Sequence, residues 1–311
     1  MSADSDIWGH PLVELPDWQL REDARAMISQ AFTLANALAA DPLPHLAARR
    51  RIPFLSRDEL IGTVQDYTGI CGALQRRYAP SGENAAPTAP SPVEPAEMAR
   101  ALDLRIRDLT PPSGPQRPDG SPPRALILGG QPGSGKTLTQ DIARRAFPDH
   151  TAVYDGDDNA LFHPRFQEIV RQDPHLGHTT AAHQLPEDFH DRCLEHLRAG
   201  EVKYDVIASH PLGRREWADS WVEGFKRHGY HVSVAFVSTH EANSRLGILH
   251  RYQRQRDREG YARWVPPELH DEFYANIPDV AAHLEESPNV DAMYVLDRDG
   301  GVLHESGRPQ R

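Results

Sequence analysis

The sequence contains few cysteines and few lysines, and it has no surplus of positive charge. The two cysteines, Cys71 and Cys193, match neither a metal-site nor a redox spacing, so we predict a reduced protein rather than a disulfide scaffold. Only three basic residues are lysines, Lys136, Lys203 and Lys226, which makes their positions worth examining. The 34 basic against 45 acidic side chains give a net charge of −11 over 311 residues. Nothing in this charge attracts nucleic acid or an anionic membrane, and we expect neither as a partner.

Long apolar stretches are also missing. No run approaches the roughly 18 residues that a membrane-spanning helix needs. The first residues include Asp4, Asp6 and Glu14, and they lack the basic and then apolar pattern of a signal peptide. We therefore expect a cytoplasmic protein.

Prolines indicate where the chain divides. Eleven of the 27 prolines lie between Pro80 and Pro123, in stretches that are poor in apolar residues and favour an extended linker. Before them, apolar residues recur at helical spacing over 17–40, and Ser56 with Glu59 predicts the start of a second helix. We predict a helical N-terminal region at 1–78, a proline-rich linker at 79–123 with one short helix at 96–109, and a domain at 124–311.

The domain at 124–311 alternates apolar, β-branched runs with amphipathic segments. This alternation predicts an α/β fold, a parallel sheet covered by helices on both faces and preceded by the small helical N-terminal region. Asp299, Gly300 and Gly301 predict the turn of a closing hairpin. The predicted strands are 125–128, 152–154, 205–208, 232–237 and 292–296, and the predicted helices are 138–146, 186–198, 214–227, 241–258 and 266–286.

A phosphate-binding loop follows the first predicted strand. The pattern G-x-x-x-x-G-K-[ST] is matched without deviation and precedes a predicted helix, as the motif requires. Its backbone N–H groups and the helix N-terminus bind ATP phosphates, its lysine reaches the β- and γ-phosphates, and its threonine binds Mg²⁺. A flexible Gly-Ser turn would not need the flanking strand and helix. The predicted ATP-binding residues are Gly130, Gln131, Pro132, Gly133, Ser134, Gly135, Lys136 and Thr137, with Thr137 as the Mg²⁺ ligand.

Three carboxylates, Asp155, Asp157 and Asp158, follow the second predicted strand. Asp155 and Asp157 stand at the carboxyl end of a strand, the edge at which ligands bind in open α/β sheets. The strands at 205–208 and 232–237 end without the carboxylate that an ATPase of this class uses. A carboxylate facing the phosphate-binding loop can instead take the proton of an acceptor hydroxyl, as in a kinase. A solvated Asp-Gly turn is the alternative interpretation.

Arginines and histidines concentrate further along the chain. The segment 250–263 is rich in arginine, and guanidinium groups on a lid can stabilise a transferring phosphoryl group, although an exposed helix face gives the same pattern. Five histidines cluster without a zinc-site spacing, so we expect surface or substrate contacts rather than a metal. They are His175, His178, His183, His190 and His196.

Several segments in order resemble the zeta-toxin family of P-loop kinases, whose members phosphorylate UDP-N-acetylglucosamine on a sugar hydroxyl. They are GGQPGSGKT at 129–137, VYDGDDNALFHPRF at 153–166, DVIAS at 205–209, ANSRLGILHRY at 242–252 and HDEFYANIP at 270–278, so the resemblance covers about 124–311. It implies Asp157 as the catalytic base, Lys136 on the γ-phosphate, and Arg251 and Arg263 on the transferring phosphates. Asp155 and Asp157 are the predicted substrate-binding residues.

One segment departs from the family pattern. Where the family has an acidic residue after the third strand, this chain has Ser209 and His210, so the resemblance supports phosphotransfer more strongly than it identifies the acceptor. Kinases of nicotinamide dinucleotide, a nucleoside or an antibiotic, and a non-catalytic ATP-sensing module, are the alternatives to a nucleotide-sugar kinase. Because family members are commonly inhibited by an antitoxin, the N-terminal helices are predicted to act as a fused inhibitor or to dock on the kinase.

Overall fold

A computed structural model describes residues 93–115, 117, 120–298 and 300–307. The helices predicted at 17–40 and from Ser56 lie outside these residues and remain predictions. The described helices are α1 Pro95–Leu109, α2 Lys136–Ala146, the 3₁₀ helix Gly156–Phe162, α3 Phe166–Gln172, α4 Gly177–His183, α5 Phe189–Ala199, α6 Arg215–Arg227, α7 Glu241–Glu259 and α8 Pro267–Glu286; the strands are β1 Arg124–Gly129, β2 Ala152–Asp155, β3 Val206–Ser209, β4 His231–Val237, β5 Ala292–Leu296 and β6 Val302–Gly307.

The six strands form one sheet in the order β2-β3-β1-β4-β5-β6. The first five are mutually parallel, and β6 pairs antiparallel with β5 through the predicted hairpin. Gly300 adopts φ 90° in this turn, a conformation that glycine accepts without steric cost. After β1 the chain first adds β2 and β3 on one side of β1 and then crosses to add β4 on its other side. The phosphate-binding loop after β1 therefore lies at a topological switch point.

The central strands are apolar on both faces, as buried parallel strands require. Ile127 and Val234 belong to a large core on one face, which also contains residues of α5, α6 and α8. Leu128 and Ile207 belong to a smaller core on the other face, where Ala143 of α2 packs. The predicted α/β class with helices on both faces is therefore confirmed. No helix in the described parts of the chain combines the length and apolar character that crossing a membrane requires.

Three short helices between β2 and α5 were not predicted. The 3₁₀ helix, α3 and α4 have seven residues each, too few to show a helical period. The predicted helix 186–198 begins three residues later, at Phe189.

The short helix predicted within the linker, α1, packs into the main core. Its buried residues Ala101, Leu102 and Leu109 contact the same apolar cluster as strands β1, β3 and β4. The apolar face of this helix is therefore buried by the sheet domain. The proposed domain boundaries, including the linker at 79–123, remain predictions.

Candidate active site

The phosphate-binding loop curls between β1 and α2. Gly130, Gly133 and Gly135 have φ values of 140°, 77° and 111°, which residues with a Cβ rarely adopt. A Cβ on Gly133 would overlap the Ser244 carbonyl group, so the loop packs directly on the backbone of α7. From the β4 side, Thr239 donates a hydrogen bond to the Ser134 carbonyl at 2.7 Å. The loop is therefore held from two sides.

Lys136 lies across this loop. Its Nζ donates hydrogen bonds to the carbonyl oxygens of Gly130 at 2.6 Å and Gln131 at 3.1 Å. The pKa of Lys136 is lowered to about 7, chiefly by burial and also by the positive charges of Arg251 and Arg263, against the opposing effect of Asp155. An anionic phosphate beside Nζ would favour the charged form.

The two predicted carboxylates have different roles in the turn after β2. The Asp155 carboxylate accepts a hydrogen bond from the backbone N–H of Asp157 at 3.0 Å and caps the 3₁₀ helix. The carboxylate of Asp157 forms an ion pair with Arg263. Asp155 therefore fixes the start of the turn, while Asp157 presents its side chain to the cleft.

These residues line one cleft of about 290 Å³. Arg251 from α7 and Arg263 from the segment after α7 both face it, together with Lys136. Burial lowers the pKa of each arginine, and Asp155 opposes this effect. The structure thus brings most of the predicted site residues together in one cleft. The predicted residues that line it are Pro132, Gly133, Ser134, Gly135, Lys136, Thr137, Asp155, Asp157, Arg251 and Arg263.

Two predicted ATP-binding residues support the loop from behind. Gly130 and Gln131 are buried and do not line the cleft. The backbone N–H of Gly130 donates to the Pro211 carbonyl at 3.1 Å, and the Gln131 side chain donates to the Thr239 carbonyl at 2.9 Å.

Several cleft residues were not predicted as site residues. His210 follows β3, so the strand-end rule that identified Asp157 applies to it as well. Arg298 lies in the β5–β6 turn against Gly135, where a Cβ on that glycine would be 3.0 Å from the arginine Cγ. The hairpin pattern gave no signal that Arg298 reaches the phosphate-binding loop.

His210 presents an uncharged ring after β3. Its Nδ1 accepts the backbone N–H of Leu212 at 3.1 Å, which assigns the proton to Nε2. The pKa of His210 is lowered to about 3, chiefly by burial and also by the nearby His190 and Lys136. Leu212 has φ 51°, unusual for a residue with a branched side chain. The strand end therefore presents a neutral imidazole at physiological pH.

The histidine cluster predicted at 175–196 is distributed over separate contacts. His175 hydrogen-bonds to Tyr252, His190 to Tyr154 and His196 to Thr110. In the described ranges, no three His, Cys, Asp or Glu side chains come together as a metal site would require.

A buried Ser–His–Asp arrangement lies behind the cleft. Ser244 Oγ is 2.7 Å from His270 Nε2, and His270 Nδ1 is 2.8 Å from Asp271 Oδ1. Ser244 and His270 are both 0% exposed, so no substrate reaches this hydroxyl. The arrangement instead joins α7 to α8.

Comparisons with known proteins agree with this geometry. PezT, a toxin of Streptococcus pneumoniae serotype 4, is 26% identical over 214 residues, which span 68% of this chain and 81% of PezT. The zeta toxin of Streptococcus pyogenes is 25% identical over 187 residues, 59% of this chain and 63% of that toxin.

A solved structure from the PezAT chromosomal toxin–antitoxin system of Streptococcus pneumoniae has the same fold. Its TM-score is 0.57 at 23% identity, and the match covers 69% of this chain and 82% of that one. The sequence model of the zeta toxin family matches residues 113–308, more than half of the chain. The resemblance noted in the sequence is thereby confirmed, and the chain belongs to the zeta toxin family of P-loop kinases.

Proposed function

We propose that the protein transfers the γ-phosphate of ATP to a hydroxyl group of a nucleotide sugar such as UDP-N-acetylglucosamine. The observation that carries this proposal is the meeting of Lys136 and the Asp157 carboxylate in one cleft with two arginines. A protein that only senses ATP needs the lysine but does not need a carboxylate placed to accept the proton of an acceptor hydroxyl.

The reaction follows from the charges in the cleft. The Asp157 carboxylate takes the proton of the acceptor hydroxyl as its oxygen bonds to the γ-phosphorus, and the bond to the β–γ bridging oxygen breaks to release ADP. Lys136, Arg251 and Arg263 neutralise the charge that spreads over the phosphoryl oxygens. Arg263 leaves its ion pair with Asp157 as the acceptor hydroxyl takes that place.

Mg²⁺ fits the oxygen-rich part of the same cleft. Thr137 is exposed there at the start of α2, and the carboxylates of Asp155 and Asp157 line the same space. Hydroxyl and carboxylate oxygens are the ligand types that Mg²⁺ prefers. Thr137 would hold the ion, which would supply positive charge to the β- and γ-phosphates.

The acceptor is best identified by direct assay. The full-length protein is incubated with ATP and Mg²⁺ and with nucleotide sugars, dinucleotides and nucleosides in turn, and the acceptor is examined by mass spectrometry for one added phosphoryl group. We expect transfer to a nucleotide sugar, and we expect the Asp157→Asn variant to transfer phosphate about 10²- to 10⁴-fold more slowly while it still binds ATP.

A matched control is the neighbouring Asp158, which is exposed. Asp158→Asn is expected to transfer phosphate at close to the wild-type rate. Equal rates for Asp157→Asn and wild type would refute the assignment of the base, and tight ATP binding without transfer to any acceptor would favour the sensor.

One observation supports a different acceptor on the same machinery. His210 follows β3, so the cleft has a neutral ring where the family pattern noted in the sequence has an acid. A dinucleotide or nucleoside acceptor is therefore the second candidate, and the same panel distinguishes the two.

We further propose that the protein is a cytoplasmic toxin controlled by an antitoxin, since both curated relatives are toxins and the PezAT structure is described as a toxin–antitoxin system. Induced expression of the wild type should arrest growth, and expression of the Asp157→Asn variant should not.

If the N-terminal region inhibits the kinase, removing residues 1–92 raises the rate of phosphate transfer. The deletion stops before α1, because removing that helix would also remove part of the core.

A further inference from the structure

Helix α1 precedes the part of the chain that the family model matches, residues 113–308. Its inner face nevertheless lies in the main core through Ala101, Leu102 and Leu109. The helix begins with Pro95 at its first turn and a hydrogen bond from the Glu94 backbone N–H to the Glu97 side chain at 3.2 Å. The helix is therefore a fixed part of the sheet domain, and its contacts can hold residues of the cleft in place.

One charged side chain of α1, Arg105, is buried, with only 3% of its surface exposed. Its Nη2 donates to the backbone carbonyl of Asp155 at 2.9 Å, and its Nε donates to the Asn159 side chain at 3.0 Å. These contacts bracket Asp157, the proposed base, on both sides along the chain. Its Nη1 donates to the Asp108 carboxylate at 2.7 Å.

The contacts continue beyond the arginine. The Asn159 side chain donates to the Tyr154 hydroxyl at 3.1 Å, and that hydroxyl is 2.7 Å from His190 Nδ1. At the far end of the 3₁₀ helix, Arg165 pairs with Glu97 of α1 at 3.1 Å. The turn that carries Asp157 is thus attached to α1 at both ends.

Burying a guanidinium to attach a helix costs desolvation free energy. Its partner Asp108 has 55% of its side chain exposed, and apolar side chains of similar volume often fill such a space at equal or lower free energy. What a guanidinium adds is direction, since its planar fork aims several donors at fixed angles. Here two of the Arg105 donors hold the Asp155 carbonyl and the Asn159 side-chain amide, which are four residues apart in the chain.

We propose that Arg105 is a positioning residue for phosphotransfer: it holds the turn 155–159 so that Asp157 faces the acceptor hydroxyl. The inference rests on the proposed kinase function. A catalytic group displaced by about 1 Å can lose roughly 100-fold in rate, so a small relaxation of the turn is sufficient to be measured. The phosphate-binding loop has no direct contact with Arg105 among the described residues, so ATP affinity should be insensitive to it.

The test compares Arg105→Lys with Arg107→Lys in the full-length protein, because Arg107 is exposed on the same helix. We expect Arg105→Lys to lower kcat by about 10- to 100-fold with the ATP dissociation constant within about twofold. Arg107→Lys should leave both unchanged. A wild-type kcat in a folded Arg105→Lys protein would overturn the proposal.

A double variant separates positioning from general damage. If Arg105 acts through Asp157, Arg105→Lys causes little further loss in an Asp157→Asn background, since effects of residues that act as a unit are not additive. The same fractional loss in both backgrounds contradicts the proposal. If Arg105→Lys does not fold, Asn159→Ala removes one of the two contacts and should show a smaller loss with the same dependence on Asp157.

Failure of the proposed function is distinguishable from failure of this inference. If the wild type phosphorylates no acceptor, the kinase proposal falls, and amide hydrogen exchange of residues 156–160 then decides the role of Arg105. Exchange there should be faster in Arg105→Lys than in Arg107→Lys. Equal exchange in the two variants would overturn the inference.

Discussion

The guanidinium of Arg263 forms an ion pair with the carboxylate of Asp157, so a residue that follows α7 meets the turn that follows β2. In the proposed reaction these two side chains are the base and one of the positive charges on the transferring phosphoryl group. The ion pair also means that the two side chains cannot be varied independently, since loss of one leaves the other without this partner.

Replacing Arg263 with glutamine should lower kcat by about 10²- to 10³-fold, because the transferring phosphoryl group loses one positive charge. Steady-state kinetics with a saturating acceptor measure this. The control is Arg258→Gln, at the exposed end of the same arginine-rich stretch, which should remain close to wild type. Equal rates for the two variants would show that Arg263 does not contact the reacting phosphate.

Gly133→Ala should prevent tight ATP binding. Gly133 has φ 77°, and a Cβ there would lie 2.9 Å from the Ser244 carbonyl carbon and even closer to its oxygen. The phosphate-binding loop and α7 would therefore have to move apart. Strain of this kind costs about 1–3 kcal/mol. Gly229→Ala is the control, because its φ is 83° but the space around it is open. Calorimetric ATP titration should show weakened binding in Gly133→Ala alone.

ATP binding should take up a proton through Lys136 at pH 8. Burial lowers the pKa of Lys136 to about 7, so at pH 8 the free protein holds this lysine mostly neutral, and bound phosphate restores its charge. The apparent affinity should fall as pH rises above 7.

Titration calorimetry in buffers of different ionisation enthalpy measures the uptake directly. Lys136→Arg is the control, since a guanidinium stays charged throughout this range and cannot take up a proton. Binding heats that do not depend on the buffer at pH 8 would contradict the lowered pKa.

Asp205→Asn should reduce stability at neutral pH by about 2 kcal/mol, because the buried carboxylate accepts charge-assisted hydrogen bonds. It accepts from the Arg124 backbone and side chain, each at 2.8 Å, and from Arg117 at 3.0 Å. Burial alone would raise the pKa of Asp205, but these bonds outweigh it and the pKa is lowered.

The pH dependence of that loss has a definite sign. A lowered folded-state pKa contributes stability that is fully present above the unfolded value of about 4 and is lost as pH falls through the folded value. The difference between wild type and Asp205→Asn in urea unfolding should therefore shrink below pH 4. The exposed Asp149→Asn should show no such dependence.

Local patterns predicted the parts of the site that are local in the chain. The phosphate-binding loop was identified because its glycines, Lys136 and Thr137 are consecutive, and the loop conformation depends on those residues. Asp157 was identified by its place at a strand end. The helices between β2 and α5 were missed because seven residues are too few for a helical period. His210 also follows a strand, but its ring, unlike the Asp157 carboxylate, has no role in the predicted proton transfer, so it was not predicted.

The sequence by itself determined the order of the strands and the longer helices, the phosphate-binding loop and the kind of chemistry, because each depends on neighbouring residues and on hydrophobic period. Only the tertiary structure decided which distant residues contact each other. Arg263 pairs with Asp157, Arg298 packs against Gly135, and Arg105 hydrogen-bonds to the turn after β2. The scarcity of lysine singles out Lys136, yet its lowered pKa comes from burial and from arginines distant in the sequence. Such contacts depend on how the helices pack against the sheet, and no local pattern encodes that arrangement.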